Sequence, residues 1–236
     1  MATRVWLRTT VTTGPASKKQ QRPEPDGRVT RAIQAAPVDA PEDRRTAAAL
    51  AYPERVLPPG GVKEYRKARR SGFRAFTLWA DPYRQQVYAH VVTRQSAEGK
   101  AVAYEVLGAA QEPLATVVRD RALTKGIRTR WTVMQHGAAE LSGGKGHPVW
   151  WFVWWLISPI QLSIIVLSFL GGHGDVARMP RRMKWRRDGR TELDWDSPHL
   201  KVSEHALDPR VAAGLVALLE SHDGVFGTSW DDDLKF

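Results

Sequence analysis

Between Pro148 and Gly174 no residue carries a formal charge, and Val149 to Leu170 (VWWFVWWLISPIQLSIIVLSFL) is an apolar run of 22 residues. At about 1.5 Å per residue, a helix of that length reaches roughly 33 Å, enough to cross the hydrocarbon of a bilayer. Thirteen of the 22 are Val, Ile, Leu or Phe, worth about 4–8 kcal/mol of insertion free energy at roughly 0.3–0.6 each. Pro159, Gln161 and three serines oppose insertion, and the balance favours it. The side chains expected to enter the bilayer are Val149, Trp150, Trp151, Phe152, Trp154, Trp155, Leu156, Ile160, Ile164, Ile165, Leu167 and Phe169. Trp150, Trp151, Trp154 and Trp155 crowd the start of the run, where an interfacial aromatic belt sits. A soluble core rarely needs four indoles within six residues.

Ser158-Pro159 offers a break near the middle, with Trp150–Ile157 and Ile160–Leu170 as two arms of a re-entrant hairpin. The competing expectation is one kinked transmembrane helix. If strands on both sides of the run belong to one barrel, its two ends emerge on one side, which favours the hairpin. Charge agrees: Arg128, Arg130 and Lys145 precede the run, and Arg178, Arg181, Arg182, Lys184, Arg186 and Arg187 follow it. Both flanks are cytoplasm-seeking by the positive-inside rule, so the bulk of the protein is expected on the cytoplasmic side of a membrane.

The formal charge is +10, and it is uneven. Residues 1–147 carry 25 basic and 13 acidic side chains, residues 148–236 carry 10 and 12. Anionic partners follow, either a phospholipid surface or nucleic acid. The basic residues expected to meet lipid headgroups are Lys63, Arg66, Lys67, Arg69 and Arg70, with Arg74 close by, and Arg178, Arg181, Arg182, Lys184, Arg186 and Arg187. The chain has no cysteine, which excludes disulfides, Cys-ligated metal centres and thiol nucleophiles. Met1–Thr13 lacks an apolar run of signal-peptide length, so export by a cleaved signal is not expected.

Gly14–Gly61 is rich in Pro, Ala and charge and reads as mostly disordered or linker, with a short helix near Arg45–Ala51. Thr3–Thr13 reads as an isolated strand or as part of the same tail. From Gly72 onward, short strand-type segments alternate with turn residues: FRAFTLWA, QQVYAHVVT, AVAYEVLG and PLATVVRD. That spacing predicts an antiparallel meander. In Ile127–Val133 the residues Ile127, Thr129, Trp131 and Val133 share one face, and Arg128 and Arg130 the other. MKWRRDGRTELDW predicts two strands about an Asp188-Gly189 turn, and HLKVS another strand. Leu207–Gly224 predicts a helix, with Asp208 as N-cap, Pro209 at the first helical position and Gly224 at its end. Its body, VAAGLVALL, is apolar all round, so it must be surrounded. The last residues, with Asp231, Asp232 and Asp233, read as a solvated acidic tail able to pair with a basic cluster.

The run YEVLGAAQEPLATVVRDRALTKGIRTRWTVMQ (Tyr104–Gln135), then RRDGRTELDW and LDPRVAAGLVALLES, resembles the phospholipid scramblase, LURP-one and Tubby C-terminal superfamily. The resemblance covers about residues 72–222 and rests on the Gly-x-x-x-x-x-Leu-Ala-x-Val turn region, the R-x-R-W strand and the Leu-Asp-x-Arg helix start. It implies a mainly β fold, a closed antiparallel barrel of twelve strands around a hydrophobic C-terminal helix. The apolar run is then an insertion into it. It also implies lipid-headgroup binding, membrane tethering or lipid movement, with no catalytic residues. Asp194-Trp195-Asp196, nearest to the calcium segment of animal scramblases, is too short for that role and reads as strand-end carboxylates.

Enzymatic motifs are missing from the sequence. In GGKG the earlier Gly of a phosphate loop is Ala139, and Gly146 stands where Ser or Thr belongs. The seven histidines have no metal-ligand spacing, and there is no G-x-S-x-G elbow. The expectation is a non-enzymatic, cofactor-free, membrane-associated protein that binds anionic phospholipid. The alternatives are a basic nucleic-acid-binding module and a membrane adaptor that docks a partner protein through Gln161 and the serines of the apolar run.

Overall fold

The computed structural model describes residues 1–9, 29–40, 47–96, 101–120, 129–145, 182–222 and 229–231. Among them the chain forms twelve strands and two helices: β1 (Thr3–Thr9), β2 (Arg31–Pro37), β3 (Ala48–Arg55), α1 (Gly61–Arg70), β4 (Ala75–Trp79), β5 (Val87–Gln95), β6 (Val102–Gly108), β7 (Pro113–Asp120), β8 (Arg130–Gln135), β9 (Leu141–Lys145), β10 (Met183–Arg187), β11 (Arg190–Asp196), β12 (His199–Val202) and α2 (Pro209–His222). Each strand pairs antiparallel with the next, and β1 closes the ring by pairing with β12, Thr3 opposite Val202 and Trp6 opposite His199. Closure removes the exposed edges of an open sheet.

The barrel encloses α2. Val211 to Leu219 are buried without exception, against β1, β2, β3, β5, β6 and β7. At the start of α2 the Asp208 carboxylate accepts from the Arg210 N–H (2.8 Å), while the Ala212 N–H donates to the Asp208 carbonyl (3.0 Å). Side-chain hydrogen bonds from Arg210 hold this carboxyl below its ordinary range. The expected N-cap is therefore in place; Gly224 lies outside the described residues. Asp188 and Gly189, both with positive φ (50° and 78°), turn β10 into β11 as the primed hairpin turn requires. In β8, Trp131 and Val133 point into the core and Arg130 is exposed.

Four expectations need correction. Residues 31–37 and 48–55, read as disordered or linker, are the barrel strands β2 and β3. Their inward positions include Ala35 and Ala51, small because α2 passes close, so the apolar alternation of an ordinary strand is muted. Of the helix sought near Arg45–Ala51, residues 48–51 are the start of β3; Arg45 and Thr46 lie outside the described residues. The segment Thr3–Thr9 is paired on both sides, so it is neither isolated nor a tail. A helix, α1, stands where only barrel strands were expected.

β9 went unread because Ser142-Gly143-Gly144 resembles a loop. Gly143 faces Trp185 across the β9–β10 pair; a Cβ there would lie 2.8 Å from the indole and 2.9 Å from the Lys184 carbonyl. The buried Trp185 ring, whose Nε1 donates to the Trp131 carbonyl at 2.9 Å, needs that space. Gly143→Ala is expected to cost about 1–3 kcal/mol by overpacking. Gly144→Ala, with nothing within 4 Å of its Cβ, is expected to be near neutral in the same denaturant titration.

Candidate functional site

Since consecutive strands run antiparallel, the connections alternate between two rims. The connections that follow odd-numbered strands (10–30, 56–74, 96–101, 121–129, 146–182 and 197–198) leave and re-enter at one end, the upper rim. Those after even-numbered strands (38–47, 80–86, 109–112, 136–140, 188–189 and 203–208) leave and re-enter at the other end, the lower rim; 80–86 folds back from it along the wall, with Arg84 donating to Glu54 (2.8 Å) and the Pro82 carbonyl accepting from the Val29 N–H (2.9 Å). Among the described residues, the upper-rim connections carry 7 Lys and Arg against 1 Glu, and the lower-rim connections other than 80–86 carry none against 6 Asp and Glu. Asp231, which docks at the upper rim, adds one Asp there, and the polarity survives it. The described residues thus give the barrel a cationic end and an acidic end.

Both ends of the connection that holds the apolar run lie at the upper rim. Lys145, the last residue of β9, is the register partner of Met183, the first of β10. Antiparallel partners stand about 5 Å apart, so the connection 146–182 begins and ends at one point on the upper rim. The run itself, with Val149, Trp150, Trp151, Phe152, Trp154, Trp155, Leu156, Ile160, Ile164, Ile165, Leu167 and Phe169, lies outside the described residues, as do Arg178 and Arg181. Among the described residues, no helix is long and apolar enough to cross a membrane.

Helix α1 stands on the same rim. It starts where the Gly60 N–H donates to the Glu64 carboxylate (2.7 Å), and its last turn holds Lys67, Arg69 and Arg70, favourable at the negative end of the helix dipole. Lys63, Arg66, Lys67 and Arg70 fall at i, i+3, i+4 and i+7, one stripe of a helix, and all four are exposed. Tyr65 and Arg69 point the other way: Tyr65 is fully buried and Arg69 half-buried. The basic cluster read as a unit in the sequence is therefore two sets of residues with different surroundings.

The inward set is held by Asp231, which is only 1% exposed. Its carboxylate accepts two hydrogen bonds from Arg69, Nε to Oδ2 and Nη2 to Oδ1, both 2.9 Å, and others from the Tyr65 hydroxyl (3.0 Å) and the Ser229 hydroxyl (2.8 Å). Arg74, 4% exposed, places Nε 3.2 Å from Oδ2 and donates to the Ser221 hydroxyl, the Ser221 carbonyl and the Phe73 carbonyl. Burial, together with the Asp231 charge, pushes the Tyr65 phenol far above its ordinary range, so it stays a donor. Beyond Arg74, the Tyr104 hydroxyl donates to the Gly72 carbonyl (2.7 Å) and stands 2.8 Å from His222 Nε2. Trp230, beside Asp231, packs on Phe76 and donates Nε1 to the Ala217 carbonyl (2.8 Å). Asp231 is thus part of the core and not of a solvated tail; residues 232–236 lie outside the described residues.

On β10, Lys184 and Arg186 are exposed and face outward, alternating with buried Met183 and Trp185. Arg182 donates to Asp194 through Nε (3.1 Å) and Nη2 (2.6 Å), and Arg187 donates to the Ala139 carbonyl at 3.1 Å. The Arg182 hydrogen bonds hold the Asp194 carboxyl below its ordinary range. Among the described residues, no three His, Asp or Glu side chains stand together as a metal site.

The sequence reading missed Tyr65, Ser221, Ser229, Tyr104 and His222 as parts of one polar cluster. The i, i+4 pair Tyr65 and Arg69, on the face opposite the cation stripe, was the available signal for its α1 side and went unused. No family model, no curated protein and no solved structure matches the chain.

Proposed function

We propose that this is a non-enzymatic, membrane-associated barrel whose upper rim faces a bilayer: the run Val149–Leu170 inserts as a re-entrant hairpin, and the rim cations hold the barrel against anionic phospholipid. The observation that carries the reading is the pairing of Lys145 with Met183. A single crossing would oblige residues 171–181, with Asp175, Arg178 and Arg181, to return through the hydrocarbon to Arg182, which is held on the barrel by Asp194, and each Arg costs about 2.5–3.5 kcal/mol at the centre. Two arms of 8 and 11 residues, Trp150–Ile157 and Ile160–Leu170, reach about 12 and 16 Å, half of a hydrocarbon core of about 30 Å. The enclosure of α2 by the described strands supports the same reading, since that helix already occupies the barrel interior.

The twelve-strand barrel around an apolar helix agrees with the scramblase, LURP-one and Tubby architecture. On that resemblance the barrel binds lipid, tethers another assembly or moves lipid, on the cytoplasmic side of the membrane. A nucleic-acid module would use the same cations but would have no use for thirteen Val, Ile, Leu and Phe residues beside them.

The chain has no cysteine, so single cysteines at Gly146 and Ala177, on the two flanks, are unambiguous labels. Full-length protein in sealed vesicles is expected to expose both to a membrane-impermeant maleimide from the side on which the barrel lies. Labelling of the two flanks from opposite sides would overturn the hairpin.

A further inference from the structure

The described residues of the upper rim hold a second surface suited to a bilayer, apart from the apolar run. Val56 and Leu57, at the end of β3, are 45% and 38% exposed. Of the other exposed large apolar residues among those described, Met1 and Met134 lie near the lower rim by their strand positions, while Tyr83 sits in the 80–86 connection, where Arg84 reaches back to Glu54. Pro58-Pro59 follows Leu57 directly, the Gly61 N–H closes a turn on the Pro58 carbonyl (2.8 Å), and the Val56 N–H is tied to the Ala75 carbonyl (2.8 Å). The lip is therefore held at both ends, so an apolar contact made there loses little chain entropy. Six residues after Leu57 the α1 stripe begins with Lys63, and its direction is fixed because Tyr65 and Arg69, on the opposite face, are bound to Asp231.

We propose that Val56–Leu57 and the stripe of Lys63, Arg66 and Lys67 form a membrane-contact site: the two apolar side chains enter the headgroup layer of an anionic phospholipid bilayer while the cations engage its phosphates. An apolar pair beside a basic helical stripe matches the two attractions of an interfacial element, burial of apolar area and attraction to a negative surface. The charge polarity of the barrel turns this rim, and not the acidic one, toward such a surface. The membrane as partner rests on the reading above; the surface itself does not depend on residues 149–170. Each cation adds about fivefold to contact with an anionic surface at low salt, less as salt screens it.

The test uses the full chain in its cysteine-free background. A polarity-sensitive fluorophore on Leu57→Cys is expected to shift to the blue with phosphatidylserine-containing vesicles, and to report water with phosphatidylcholine vesicles. Adding Lys63→Glu, Arg66→Glu and Lys67→Glu to that labelled chain is expected to return the emission to its phosphatidylcholine value with the melting temperature unchanged. The same label on Met134→Cys, near the lower rim, is expected to report water throughout. A label on Ile164→Cys tests the apolar run separately. A shift at Ile164 with none at Leu57 overturns this site and leaves the tether standing, whereas a shift at Leu57 with none at Ile164 sinks the tether alone. Equal shifts at Leu57 on both vesicle types, or a shift at Met134, also overturn the proposal.

Discussion

Replacing Val149–Leu170 with a Gly/Ser linker of equal length is expected to abolish the proposed retention of the protein on membranes through high-salt and carbonate washes. The expected size follows from the residues removed: thirteen Val, Ile, Leu and Phe at about 0.3–0.6 kcal/mol each give roughly 4–8 kcal/mol, a factor of about 10³ to 10⁶ in partitioning. The barrel is expected to survive, because the connection opens and closes at the paired residues Lys145 and Met183 and loop-closure entropy depends only weakly on what the loop contains. Fractionation checks the release, and a thermal melt within a few degrees of the parent checks the barrel. Wild-type protein found wholly in the soluble fraction would refute the anchor. The released variant keeps the cationic rim, so its remaining affinity for anionic vesicles should fall steeply with salt.

Several elements were legible in the sequence for a common physical reason: they are set by neighbours. Asp188-Gly189 specifies its own turn, and β7 is bounded by the residues PLATVVRD that predicted it. The all-round apolar body of α2 implied that something must surround it, and the barrel does. What stayed hidden depends on partners distant in sequence. Ala35 and Ala51 look like linker composition until α2 is placed beside them. Gly143 looks like loop until Trp185, 42 positions later, lies across it. The cluster from Lys63 to Arg74 looks like uniform positive charge, because composition does not distinguish the outward stripe from the two guanidiniums turned inward. Asp231 looks like the first of three solvated aspartates, yet the residues that bury it, Arg69 and Arg74, lie about 160 positions away. Only Trp230, an indole at the edge of an acidic tail, hinted that the chain returns to the core there.

That burial makes Asp231→Ala the substitution with the largest expected cost to stability. Were Asp231 solvated, its loss would change stability by no more than about 0.5 kcal/mol. Instead it faces two guanidiniums, one nearly fully buried, and arginine does not escape by losing its proton. Removing the carboxylate leaves buried positive charge uncompensated, and the Tyr65 and Ser229 hydroxyls lose their acceptor. The expected loss is about 3–5 kcal/mol, read from the denaturant midpoint of the full chain. A purely packing role for Asp231 predicts the same loss in every background, whereas an electrostatic clamp does not. In Arg74→Met chains, where one of the two cations is already gone, the further cost of Asp231→Ala should shrink by at least about 1 kcal/mol, the coupling expected between groups in one ion-pair network. An undiminished cost would mean that the carboxylate matters for its shape alone. Because the clamp holds α1 by its inner face, the single variant should also loosen the stripe of Lys63, Arg66 and Lys67 from its fixed direction, which amide exchange along residues 61–70 reports directly.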